Sequence, residues 1–193
     1  MKKKIKDFSN LSEVNFNMDK TILGVAKKRK QVVYGARSIQ AQNNLFARNT
    51  QDWDVFDTNP KKVAQLVEKM LDKQMKGNYF YSEEAMHKGT WKIKGIGMDR
   101  IKGTKDDESI ADYSKLEKGV PVVIKNGIRY RALKEEIKAK KRSVADPEFE
   151  FRHKKDKDDL KRIKGYLKVK RLMKWGDAFI LCKKVAQLIP LLI

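Results

Sequence analysis

An α+β fold, with a mixed β-sheet core and a helical C-terminal part, is what the order of patterns along this chain predicts. Helical and β-rich stretches alternate from residue 19 to about residue 75. Strand patterns then dominate from 79 to 130, and helical character returns at Ala132, continues to about Ser143 and resumes at 153–172 and 175–189. Alternation followed by a run of strands and then a run of helices is the signature of a mixed sheet with helices gathered to one part of the molecule.

The elements follow in order. Residues 1–18 are polar and read as a flexible N-terminal segment, residues 19–130 as the core, and residues 131–193 as a basic helical region. A helix is expected over 19–30, ending in Lys27-Lys28-Arg29-Lys30. Gln31-Val32-Val33-Tyr34 is β-rich and stops at Gly35, after which Ala36 to Gln42 is helical. Asp52 to Phe56 is the second strand. Asn59 fits an N-cap and Pro60 a first helical position. Val63, Leu66, Val67, Met70 and Leu71 then recur at helical spacing, and Gly77 is expected to end that helix. Trp91 to Ile96 largely alternates apolar and polar residues, and Ser109 to Ser114 is a further short strand. Asn126-Gly127 between Val120–Ile124 and Ile128–Tyr130 signals a hairpin. Two more helices are expected at 153–172, with Leu160, Ile163 and Leu167 inward, and at 175–189.

The chain has 193 residues and a formal charge of +20, with 45 Lys and Arg against 25 Asp and Glu. That exceeds what solubility requires and points to a polyanionic partner, nucleic acid above all. From Lys134 to Lys174 basic residues outnumber acidic ones two to one. One cysteine, Cys182, excludes an internal disulfide and fits a reducing, cytoplasmic setting. With only two histidines, His87 and His153, a His/Cys zinc site and a Ser/His/Asp relay are not expected. No apolar stretch follows the basic N-terminus, so no secretory signal is expected. The apolar end from Ala178 to Ile193 carries Lys183 and Lys184 and is too short to span a bilayer; it is expected to dock on the body, on a protein partner or on a second copy.

The chemistry is concentrated in Arg48-Asn49-Thr50-Gln51-Asp52-Trp53-Asp54-Val55. In a strand, residues two apart share a face, so Asp52 and Asp54 aim the same way while Trp53 and Val55 turn to the other side. Adjacent carboxylates repel unless a cation lies between them. Mg²⁺ takes oxygen ligands of this kind, and carboxylate-held metals that also grip phosphates belong to phosphoryl and nucleotidyl transfer. A glycine at a strand-to-helix turn, as at Gly35, lets backbone N–H groups approach a phosphate. Asp112, in Ile110-Ala111-Asp112-Tyr113-Ser114, is a candidate third carboxylate or a surface acid beside a strand. Trp53, Trp91 and Trp175 read as core, whereas Tyr79, Phe80 and Tyr81 suit strand packing and base stacking equally well.

Together, strand–Gly35–helix, Asp52-Trp53-Asp54-Val55 and a later acid resemble the nucleotidyltransferase superfamily related to DNA polymerase β. Ala36 stands where that family has a second glycine or a serine, with Ser38 two positions on. More finely, Arg48-Asn49-Thr50-Gln51-Asp52-Trp53-Asp54 looks like the Arg-x-Ser/Thr-x-Asp-x-Asp of AbiEii-like nucleotidyltransferases, toxins of some toxin–antitoxin pairs. Lys138, Lys140 and Arg142, followed by Arg152 to Leu160, are similar to that group's later basic segment. The resemblance implies Mg²⁺ at Asp52, Asp54 and Asp112, an NTP whose phosphates meet Gly35, Ala36, Arg37 and Ser38, and a further cation among Lys138, Lys140, Arg152 and Lys155. Arg48 could instead hold one of the aspartates, and Arg152 to Asp159 could be a solvated helix start with local ion pairs. RNA is the favoured acceptor. The competing expectation is a basic nucleic-acid-binding protein without activity, a viral or mobile-element component carried in a virion.

Overall fold

The computed structural model of the chain describes residues 11–43, 47–116 and 118–174. Five helices and seven strands lie among them. These are α1 (Leu11–Lys28), β1 (Val32–Tyr34), α2 (Gly35–Gln42), β2 (Trp53–Asp57), α3 (Pro60–Met75), β3 (Phe80–Glu84), β4 (Trp91–Gly95), β5 (Glu108–Lys115), β6 (Val122–Lys125), β7 (Ile128–Arg131), α4 (Leu133–Ala145) and α5 (Glu150–Lys174). The strands follow the order β3-β4-β5-β2-β1-β7-β6. β2 pairs with β5 in parallel, while β3–β4 and β4–β5 are antiparallel. This is the mixed-sheet α+β fold that the pattern order predicts. The expected helix at 175–189 and the apolar end beyond it lie outside the described residues.

The chain divides into two compact units. The first comprises Met1–Val33, Asp52–Lys118 and Ile124–Arg129; the second comprises Tyr34–Gln51, Gly119–Val123 and Tyr130–Ile193. Among the described residues no helix is long and apolar enough to cross a membrane.

In the first unit α1 already begins at Leu11, inside the stretch read from sequence as flexible, and it buries Met18, Ile22, Val25 and Ala26. α3 is capped as its sequence demands. Asn59 Oδ1 accepts from Lys62 N at 3.1 Å, and Pro60 takes the first helical position, where no donor is missed. Val63, Val67 and Leu71 form its inward stripe together with Ala64, each aliphatic side chain contributing about 1.5–3 kcal/mol of burial. Leu66 and Met70, expected on that face, are 43% and 37% exposed. The core-facing arc is narrower than the apolar pattern because Ala64 fills one of its edges. The helix ends on Lys76 in the left-handed conformation, φ 54°, not on Gly77. Gly77 answers a different need, since a Cβ there would lie 2.5 Å from the Tyr79 ring.

β5 carries a bulge. Ile93 pairs with Ala111 but Lys94 pairs with Ser109, so Ile110 is left over. The β6–β7 hairpin turns through Asn126 at φ 53° and Gly127 at φ 77°, the two positive values that the Asn-Gly signal requires.

β2 ends in a buried carboxylate. Asp57 accepts from Arg29 Nε at 3.0 Å and Nη2 at 3.1 Å, from Gln31 Nε2 at 2.6 Å and from Asn59 N at 2.6 Å. Burial alone would push this carboxyl up, but the donors from Arg29, Gln31 and Asn59 together hold it below the ordinary range. A carboxyl lowered by folding stabilises the native state above its unfolded value of about 3.8, and the gain is lost as pH falls through the lower native value. Asp57→Ala should therefore destabilise the protein by about 2 kcal/mol at pH 7, Arg29 being part-exposed. Its urea midpoint should also fall less steeply below pH 4 than that of the wild type; parallel pH profiles for the two proteins would refute this assignment.

Candidate active site

In the first unit, Asp54 and Asp112 are partners across the parallel β2–β5 pair, flanked by Trp53↔Ala111 and Val55↔Tyr113. Trp53, Val55, Ala111 and Tyr113 are buried on one face. Asp54 and Asp112 turn to the other, where both are half-buried. Trp53 is fixed further by its indole N–H, which donates to Asp19 Oδ1 at 2.6 Å. Asp52 precedes the strand by one residue, on the Asp54 side of the alternation. Behind them the Tyr113 hydroxyl is sunk in the core, where burial pushes its pKa well above the ordinary tyrosine value.

The row of partners continues sideways. Lys92 on β4 is opposite Asp112, and Glu83 on β3 is opposite Lys92. Lys92 Nζ lies 3.7 Å from Asp112 Oδ2, and Lys94 Nζ lies 2.8 Å from Glu83 Oε1. Oxygen-only donors on neighbouring strands fit a hard divalent cation such as Mg²⁺. The backbone brings Asp54 and Asp112 side by side for one. Among the described residues, however, no three acidic, His or Cys side chains are gathered closely enough to hold a metal as they stand. Asp112 instead engages Lys92, a residue that sequence reasoning missed. The alternation of Trp91-Lys92-Ile93-Lys94 gave its face, but only the strand register shows which carboxylate it meets.

In the second unit, Gly35 opens α2 at φ 68°, and its N–H donates to Glu136 Oε1 at 2.8 Å. Glu136 also accepts from Arg131 Nε at 2.8 Å and Nη2 at 2.7 Å. Burial pushes the Glu136 carboxyl up against the opposing pull of Arg131 and Gly35. Arg131 in turn lies over the Tyr34 ring. Ala36 and Ser38 are buried, and the Ser38 hydroxyl donates to the Arg131 carbonyl at 2.7 Å. A hydroxyl held there offers a phosphate nothing, and the Gly35 donor is already committed to a carboxylate. Arg37 is half-buried, with Nη2 donating to the Gln51 carbonyl at 3.1 Å.

The basic residues of α4 and α5 separate into two kinds. Lys138 is exposed and pairs with Glu135 at 2.8 Å; Arg152 pairs with Asp156 at 3.3 Å, and Lys155 is exposed. Lys140 is different. Its side chain is 7% exposed, and Nζ lies 2.8 Å from Asp156 Oδ1 and 2.7 Å from Asp159 Oδ2. Burial raises the Asp156 carboxyl, but Lys140, Ser143 and Arg152 more than offset this, so it is lowered overall. Arg48 completes the cluster, its Nε 3.2 Å from Asp159 Oδ1. Arg48 thus pairs on α5. The structural role of Glu136, Asp156 and Asp159 is what sequence reasoning missed: Asp156 and Asp159 lie on α5, and no local spacing links them to Lys140 on α4.

Lys140→Met should leave two buried carboxylates with only the flanking arginines and cost about 3–5 kcal/mol of stability. Guanidinium denaturation checks this, and an unchanged midpoint would assign Lys140 to a binding role instead.

No family model matches the chain, and no curated protein matches it. Solved structures do. The Megavirus polyadenylate synthase matches with a TM-score of 0.60 at 17% identity, over 78% of this chain and 31% of that one. Two Helicobacter pylori proteins also match: JHP933, at TM-score 0.44 and 14% identity over 75% of this chain and 61% of the other, and one designated a nucleotidyltransferase, at 0.46 and 13% over 74% and 62%. The chain spans less than a third of the polyadenylate synthase. What it shares with that enzyme is the fold.

Proposed function

We propose that the chain is a Mg²⁺-dependent nucleotidyltransferase that moves a nucleotide from an NTP to a nucleic-acid acceptor, RNA by preference. One observation carries the reading: Asp54 and Asp112 stand opposite each other on adjacent parallel strands of a fold shared with a polyadenylate synthase. Asp52, two residues before Asp54, adds a third carboxylate on the same side of the chain. The charge of +20 supports a polyanionic acceptor, whose phosphates supply much of the affinity.

In this mechanism Asp52, Asp54 and Asp112 would be the residues that hold Mg²⁺, which would supply charge neutralisation for the NTP phosphates and activation of the acceptor hydroxyl. Bound divalent ions lower the pKa of the acceptor hydroxyl and offset charge on the pyrophosphate as it leaves. The buried wall of Trp53, Val55, Ala111 and Tyr113 keeps the two strands rigid, so the carboxylates stay in register during transfer. Exposed cations of α4 and α5, Lys138, Arg152 and Lys155, meet phosphates of the acceptor. The engagement of Gly35 and Ser38 inside their own unit favours the second reading, a nucleic-acid-binding protein without transfer activity.

Labelled NTPs, Mg²⁺ and total RNA separate the two. Wild type should transfer label, and Asp54→Asn should lower the rate on the order of a hundredfold or more. RNA retention on filters should be unchanged in the variant and should weaken with salt in both proteins. RNA retention with no transfer by the wild type would leave the second reading.

A further inference from the structure

The face that carries Asp54 and Asp112 also carries Lys92. Asp54, Asp112, Lys92 and Glu83 form one row of strand partners across β2, β5, β4 and β3. Glu83 is taken by Lys94 at 2.8 Å, so Lys92 is left directed at Asp112. The Lys92–Asp112 pair is loose, at 3.7 Å, with the two side chains 35% and 25% exposed. That is close enough to orient a carboxylate and too long and too wet to lock one.

We infer that Lys92 is a resident competitor for the divalent cation at Asp112. This rests on the reading that Asp54 and Asp112 form a metal site. A cation entering between those two carboxylates must draw Asp112 away from the ammonium and then sit beside a like charge. Both effects weaken binding at that position, by about tenfold for a part-exposed ammonium near 4 Å. Lys92 is a positioning residue in this scheme and touches no reacting atom.

The test is Mn²⁺ titration of the full chain without nucleotide, reading free Mn²⁺ by electron paramagnetic resonance. Lys92→Met should bind Mn²⁺ about tenfold more tightly than wild type, and Lys92→Arg, which keeps the charge, no more tightly than wild type. Lys92→Gln provides a second neutral variant should the methionine variant fail to fold. Weaker binding in Asp54→Asn with unchanged affinity in both neutral Lys92 variants would overturn the inference and leave the metal site standing. Unchanged Mn²⁺ affinity in Asp54→Asn would overturn the site reading itself.

Discussion

Parallel strands cannot be joined by a tight turn; the chain must leave the sheet, cross over and return. The pairing of β2 with β5 imposes that requirement, and much of the first unit serves it. α3 provides the crossover and presents Val63, Val67 and Leu71 to the interior. β3 and β4 extend the sheet before β5 comes back beside β2. Because strand side chains alternate with a period of two, one register decides everything on both faces. With Trp53 against Ala111 and Val55 against Tyr113, the aspartates are forced together on the outer side. Their adjacency is therefore a by-product of packing the inner side well. The electrostatic cost of bringing two carboxylates together is carried by the hydrophobic wall behind them.

The second unit meets a different demand. Its buried charge is paired internally, in Arg131–Glu136 and in Lys140 between Asp156 and Asp159. Such networks are weak sources of net stability but strong determinants of which arrangement is allowed, because any helix shift strands a charge. α4 and α5 are amphipathic in charge more than in hydrophobicity; among the buried residues of α5 the one large apolar side chain is Ile163. Specific polar pairing does there what aliphatic packing does around α3.

Much of this was legible in the amino-acid order. The caps at Asn59-Pro60, the Asn126-Gly127 hairpin, the strand at Val32–Tyr34 and the Asp-Trp-Asp alternation each follow from local stereochemistry, and each appears where local rules put it. What was not legible depends on which strand lies beside which. Nothing near Asp112 in sequence points to Lys92, twenty residues earlier, and nothing in Lys138-Ala139-Lys140 says that the second lysine is buried while the first is solvated. Gly77 illustrates the same limit. Its presence after a helix reads as a C-cap, yet the left-handed residue is Lys76 and the glycine makes room for Tyr79. Composition misled in a similar way, since the total of basic residues does not distinguish those neutralised by buried acids from those available to a partner.

The unpaired Ile110 in β5 has a bearing on how this part of the sheet can vary. Pairing is regular on either side of it, Ile93 with Ala111 and Lys94 with Ser109. Excising Ile110 would leave those partners matched and keep Asp112 on the Asp54 side. The bulge thus behaves as a slack link. The segment joining β4 to β5 can gain or lose length up to that point while the acid two residues later holds its heading.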